Sequence, residues 1–406
     1  MARLVVFLAA HVKHYRLPFF DLLYRRLNQD GVGLRVLYGG PNSSHAARKD
    51  NADLPPSYGR RVSSFWLADR LVYQSAWKEI AAADLVITPN EHKLLLNPLL
   101  LALRASGMKR VAYWGKGNVA RSSFSDPAEW LRFKTANAVD WWFPYTEATA
   151  ENLRHIGVSC GITPIGNATD TFGLHREVDS ISQECLCHAR CSVGVSPGAV
   201  GIFCGNLSAN KHLDFLFAAG RLIREAIPTF SLLVLGNGPL REHVRRVATH
   251  DRFIHFLGPR VGLEKALLFK MADVFLLPGA VGLAILDSFA AGLPLLTTEL
   301  PDHGPEISYL SPGSNGLITA HDPQSYADAT IDLLRSPQKL ARLRSGAIAS
   351  SSLHSIENMA ENFRLGILDC LSQAPAGRRF FRRPVQHVAQ REAAAAAVND
   401  FPGGHS

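Results

Sequence analysis

The chain has 406 residues, of which 47% are hydrophobic and 19% charged, with a formal net charge of +8. That length and apolar content suit two packed domains and exclude a predominantly disordered chain. The positive balance suits an anionic ligand or an anionic membrane surface; with no RNA- or DNA-binding motif in view, nucleic acid is not expected as a partner.

The chain opens on an apolar run, Met1 to Ala10, that is too short for a secretory leader. His11, Lys13, His14 and Arg16 follow in place of a cleavage site, so the run reads as a buried strand over 4–8. Short apolar runs then alternate with helical patterns, the mark of parallel α/β units. Strands are predicted at 34–38, 85–87, 111–114 and 142–144, and helices at 18–27 and 70–82. Leu94 to Leu103, ahead of Arg104, Lys109 and Arg110, reads as a buried helix interrupted by Pro98, with a membrane-lying helix as the alternative. Trp141 and Trp142 read as core.

A first domain is thus expected over 1–173 and a polar interdomain linker over 174–197. The linker holds Cys185, Cys187 and Cys191, but no second ligand pair follows at finger-like spacing. The six cysteines of the chain therefore read as thiols of a reducing compartment, with no metal expected. A second α/β domain over 198–352 has predicted strands at 201–204, 231–235, 254–257, 274–277 and 295–297. Its helices are predicted at 214–226, 239–249, 264–270, 284–291 and 323–335. A helix within 353–373 closes the folded part. The remainder, 374–406, carries Arg378, Arg379, Phe380, Phe381, Arg382 and Arg383 before an alanine run. It reads as a disordered tail, or else as a basic anchor for a membrane or partner. No segment reaches the roughly 18–20 unbroken apolar residues that span a bilayer. The expectation is a cytoplasmic protein, with peripheral contact at the cytoplasmic face of the inner membrane.

Chemistry concentrates in the second domain. Pro278 to Pro294 follows a buried strand, turns through Gly279 and Gly282, and enters an apolar helix carrying Asp287. A strand, a glycine turn and a helix start make an anion site, because unpaired backbone N–H groups and the helix dipole face the ligand. An acid one to two turns into that helix is placed to bind a ribose. Gly205 to Lys211, Gly236 to Pro239, Gly258 and the stretch Thr298 to Glu306 likewise follow strand ends, where open α/β sheets bind ligands. The second domain is thus expected to bind a nucleoside diphosphate.

In order and spacing these segments resemble the retaining GT-B glycosyltransferases, the "glycosyl transferases group 1" or family 4 set. The resemblance is close over 198–350 and looser before it. Gly205-Asn206-Leu207 with Lys211, Gly236 to Pro239, Ala272 to Pro278, and Gly282-Leu283 followed by Asp287 and Gly292-Leu293-Pro294 carry it. The family usually has two glutamates eight positions apart across the loop; here Gly279 holds the first place and Asp287 the second. The family's arginine beside the phosphate-binding lysine is Asn206 here. In the first domain, His11 to Phe20 looks like the family's first loop, and Tyr113 to Asn118 like a Trp-Gly-His-Gly segment with Lys116 in the histidine's place.

The resemblance implies two Rossmann-like domains facing across a cleft. It implies transfer of a sugar, with retention, from a nucleotide-diphosphate sugar to a glycan or lipid-linked acceptor in surface polysaccharide or glycolipid synthesis. No separate cofactor and no metal are implied. Lys211, Asn206, His11 and Lys116 become the catalytic candidates. Gly205, Gly236, Gly279, Gly282, Leu283 and Asp287 become the donor-binding ones, and Arg16, His303 and Glu306 are placed for the donor sugar or the acceptor. Two alternatives stay open: a catalytically degenerate nucleotide-sugar-binding subunit, and a nucleotide-sugar 2-epimerase on the same fold.

Overall fold

The computed structural model describes residues 3–43, 51–91, 93–117, 134–195 and 197–373. Asn118 and the basic tail lie outside these described residues.

The first sheet has strands β1 (Arg3–Ala9), β2 (Val32–Tyr38), β3 (Gly59–Arg61), β6 (Leu85–Pro89), β7 (Arg110–Gly115), β8 (Trp141–Pro144) and β9 (Gly161–Ile162). A separate antiparallel hairpin, β4 (Ser64–Leu67) and β5 (Leu71–Gln74), lies between β3 and β6 in sequence. The sheet order is β3-β2-β1-β6-β7-β8-β9, with every pairing parallel. Five consecutive residues of β1, Val5 to Ala9, are buried, as a parallel strand covered on both faces requires. Helix Leu17–Gln29 lays Phe19, Phe20, Leu23 and Leu27 along one stripe, and Phe20 meets Phe7 of β1 edge-on at 5.6 Å.

The second sheet has β10 (Val200–Cys204), β11 (Ser231–Leu235), β12 (Ile254–Gly258), β13 (Val274–Leu276), β14 (Leu295–Thr298) and β15 (Gly316–Thr319). Its order, β12-β11-β10-β13-β14-β15, is again parallel throughout and is that of a dinucleotide-binding sheet. Two Rossmann-like α/β units are therefore present, as expected.

Two local expectations need correction, and the closing helix, present as expected, adds a second crossing. Residues 70–82 are not one helix: β5 pairs back onto β4, and only Trp77–Ala82 is helical. The hairpin turns through Ala68 and Asp69 at φ 49° and 57°, a left-handed pair in which neither residue is the usual glycine or asparagine. The linker is helical as well. Thr171–Ser180 is capped by Asp170, which accepts from Gly173 N. Gln183–Val193 is capped by Ser182, which accepts from Cys185 N, and stops at Gly194 with φ 75°. Thr171–Ser180 packs on helices of the second domain. Lastly, the closing helix Ile356–Ser372 returns to the first domain, where Phe363 sits among Phe7, Phe19, Trp114 and Phe143 at 4.8–5.9 Å between ring centres. The chain thus crosses between domains twice.

Helix Leu96–Ala105 buries Leu96, Leu100 and Leu101, while Leu95 and Leu99 stay exposed. Trp141 and Trp142 are core. No helix among the described residues is long and apolar enough to cross a membrane.

Candidate active site

In the second sheet the chain runs outward from β10 to β12, then returns to the other side of β10 as β13. Loops leaving β10 and β13 diverge at that switch point and open a crevice. The β10 turn is pinned by backbone bonds: Gly205 N donates to Leu235 O at 3.1 Å and Leu207 N to Asn237 O at 2.9 Å. Gly236, at φ 139°, lies so close that a Cβ would overlap the Gly205 carbonyl oxygen. Only glycine lets these two turns stack. Asn206 stands exposed on the turn.

Lys211 ends a 3-10 turn, Ala209–Lys211, pressed against the loop after β13. Ala280 N donates to Asn210 O at 2.8 Å, and the Lys211 ammonium donates back to the Ala280 carbonyl. Gly279 makes this contact possible, since a Cβ there would fall 2.5 Å from the Asn210 oxygen and the Lys211 Cα. Burial, helped by the nearby positive Lys116, brings the Lys211 ammonium down to a pKa of about 8; Asp302 and Glu306 oppose this. The next residue, His212, holds a left-handed φ of 51°. Its Nδ1 donates to His321 Nε2 (3.1 Å), whose Nδ1 donates to Thr298 Oγ1 (2.8 Å), which donates to Pro278 O (2.7 Å). This relay, fixed in direction by the carbonyl at its end, ties the lysine turn to the start of the glycine loop.

Gly282 and Leu283 are half-buried and lead into helix Ala284–Ala290, which has no side-chain cap. Ile285 N and Leu286 N turn back onto Gly282 O and Leu283 O at 3.2 and 3.0 Å, so the helix starts on a tight, 3-10-like turn. Asp287 lies in the first turn, as expected, but ion-paired with Lys265 at 2.8 Å. Burial disfavours the Lys265 ammonium, yet Asp287, with Cys204 and Glu177, raises the lysine above its usual pKa.

His303 and Glu306 are both engaged by other parts of the chain. His303 Nδ1 accepts from Val281 N at 3.0 Å and Nε2 donates to Thr298 O at 2.8 Å. With both ring nitrogens committed, His303 clamps the glycine loop instead of facing a sugar. Glu306 is 3% exposed and accepts from Asn167 Nδ2 at 2.6 Å. Asn167 Oδ1 in turn accepts from Arg16 Nη2 at 2.6 Å. Arg16, itself buried, lies over the rings of Tyr15, Trp114 and Tyr145. Arg16–Asn167–Glu306 is therefore a buried polar seam joining the domains.

The first domain has its own switch point between β1 and β6. A cavity of about 330 Å³ opens there, lined by His11, Arg16, Lys93, Trp114, Lys116 and Tyr145 among others. His11, Arg16 and Lys116 thus converge on one pocket, and exposed Lys116 is near enough to Lys211 to depress its ammonium. Burial pushes the Tyr145 hydroxyl up to about 12, which keeps it a neutral donor.

Sequence reasoning missed Lys265, Asn167, His212 and His321. Lys265 carries no motif, since its partner lies 22 positions away in sequence. Asn167 lies near the end of the first domain, and its partners Arg16 and Glu306 are far from it in sequence. His212 had one signal, its place directly after the lysine.

Residues 198–336 match the family model described as glycosyl transferases group 1. A GDP-mannose-dependent alpha-(1-6)-phosphatidylinositol dimannoside mannosyltransferase of Mycobacterium tuberculosis is 26% identical over 254 residues. That match covers 59% of this chain and 63% of the relative, so the chain spans less than two thirds of the relative's length. A D-inositol 3-phosphate glycosyltransferase of Corynebacterium urealyticum is 29% identical over 189 residues, covering 43% of this chain and 44% of its own. Among solved structures, Anabaena HepE in complex with UDP superposes with a TM-score of 0.66 at 14% identity, covering 91% of this chain and 100% of that one. WaaG, a glycosyltransferase involved in lipopolysaccharide biosynthesis, gives a TM-score of 0.60 at 15% identity, with 89% and 98% covered. Residues 198–336 are thus similar to glycosyl transferases group 1, and the chain has the GT-B architecture.

Proposed function

We propose that the chain transfers a sugar from a nucleotide-diphosphate sugar to a hydroxyl of a glycan or lipid-linked acceptor, with retention at the anomeric carbon and without metal. The observation that carries this reading is the position of Lys211. Its ammonium is held at the switch-point crevice, against the glycine loop that leads into a short helix. A departing diphosphate gains negative charge, and fixed donors at that point lower the barrier. Lys211, Asn206 and the backbone N–H groups near Gly282 and Leu283 supply them. The acceptor enters through the first-domain pocket, where His11 and Lys116 face it. The mycobacterial relative is named for GDP-mannose and HepE is bound to UDP, so a nucleoside diphosphate is the shared chemistry and the base stays open between them. A lipid-linked acceptor would set the protein at the cytoplasmic face of a membrane, in glycolipid or surface polysaccharide synthesis.

A second reading, a nucleotide-sugar-binding subunit without turnover, is favoured by Gly279, where the family glutamate has no counterpart. NMR of products from UDP- and GDP-sugars with a panel of glycan and glycolipid acceptors separates the possibilities. A new glycosidic bond of the donor's own configuration supports the proposal. Inversion removes the retaining mechanism. Donor binding without product across the panel supports the second reading, and donor turnover without acceptor identifies an epimerase.

A further inference from the structure

The fold brings two histidines 109 positions apart in sequence together at the lysine turn. His212 follows Lys211 directly, and His321 lies just past β15; their rings meet edge to face at 4.8 Å between centres. Phe215, in the helix Leu213–Ala226, stacks on His321 at 4.6 Å and 15°, which fixes the plane of that ring. The bonds leave one arrangement of hydrogens. Thr298 spends its hydroxyl hydrogen on Pro278 O, so the hydrogen between Thr298 and His321 sits on His321 Nδ1. His321 Nε2 is then the acceptor for the His212 Nδ1 hydrogen. One extra proton, on the far nitrogen of His212, leaves this contact whole. A second puts N–H against N–H and breaks it. His212 is also held at φ 51°, and no side chain caps the helix it precedes. A left-handed histidine persists only where its neighbours hold it. Partial burial and the adjacent His212 keep the His321 pKa below its usual value, against the pull of Asp302. Of the other charges around the pair, Asp214 is engaged by His243 and Asp322 by Ser325 N, while Lys211 faces Lys116, Asp302 and Glu306. His321 is exposed, so protons reach it from solvent.

We infer that the His212–His321 pair positions Lys211 for the donor diphosphate and releases it when both rings are protonated. His321 is then a positioning residue that acts through His212 and touches no substrate. The inference rests on the donor-site reading proposed above. Donor affinity is full above about pH 6.5, where the rings are neutral, and falls as pH drops below it.

Calorimetric titration of the full chain with UDP-glucose and with GDP-mannose, at about pH 7.5 and about pH 5.5, tests it. A diphosphate esterified at both ends keeps its charge over that range, so a change in affinity belongs to the protein. The unaltered protein should bind about five- to tenfold more weakly at the lower pH, the size of one hydrogen bond. His321→Leu should be weaker by about the same factor already at the higher pH. His321→Gln offers an amide oxygen that accepts from His212 at either pH, so it should recover most of the affinity and lose the pH dependence. Thermal unfolding at both pH values checks that each variant is folded. An acid loss kept in full by folded His321→Gln would overturn the inference and assign the loss to another histidine, such as His303. Full affinity in His321→Leu at the higher pH, or no acid loss in the unaltered protein, would overturn it too. Binding of neither nucleotide sugar at either pH would remove the donor-site reading itself, and this inference with it.

Discussion

The two halves of the molecule have the same sheet plan, yet they build their crevices from different material. The second domain uses backbone: Gly236 and Gly279 bring chain segments within contact distances that a Cβ would forbid. The first domain uses side chains, with His11, Arg16, Lys116 and Trp114 around a cavity. A backbone site demands glycine at set positions after strands and so leaves a mark in the sequence. A pocket of side chains leaves scattered polar residues that resemble any surface loop.

The comparison can be broken at its strongest point. Lys211→Ala removes the cation that the second domain holds against the glycine loop, and transfer should fall about 100-fold or more with the fold intact. Substituting Lys116, across the cleft, should cost less, since it is exposed and not fixed. Equal losses in paired steady-state assays would show that the donor site is not concentrated in the second domain.

The seam between the halves comes next. Arg16→Met leaves Asn167 Oδ1 without its buried donor and should destabilise the chain by about 2–3 kcal/mol, read by denaturant unfolding. An unchanged midpoint would mean that the seam does not join the domains. Gly279→Ala forces a Cβ against the Asn210–Lys211 backbone and should cost about 1–3 kcal/mol together with weaker diphosphate binding. A fully tolerated alanine would contradict the claim that this crevice is made of backbone.

The smallest effect is on pH dependence. The lowered Lys211 pKa means that burial disfavours the charged lysine in the free protein at all pH values below about 8, and that the penalty disappears as pH rises toward 10.5. Donor binding needs the charged form, so donor KM should rise above about pH 8. Lys211→Arg, which stays protonated, should lose that alkaline limb. A limb retained in the arginine variant would assign it to another group.

Much of the fold was legible because β10, β11, β13 and β14 are short, largely apolar runs buried on both faces, while β12 at the sheet edge is half-buried. The helical linker was hidden by its polar composition, although Asp170 and Ser182 are ordinary N-caps. The β4–β5 hairpin was hidden by a left-handed turn without glycine. At the site, the glycine loop, Lys211 and Asp287 could be found by position. What Asp287, His303 and Glu306 bind could not, because Lys265, Val281 and Asn167 reach them only through the tertiary fold.

The most direct test of the donor site is thermal unfolding of the full chain and of Lys211→Ala with UDP, GDP, ADP, CMP and NAD in large excess. A ligand at about 100 times its Kd adds roughly 2.7 kcal/mol of stability. A shift of that size with one nucleoside diphosphate, largely lost in Lys211→Ala and absent with NAD, is the predicted result. A shift with NAD alone, or the same diphosphate shift in both proteins, would contradict the account.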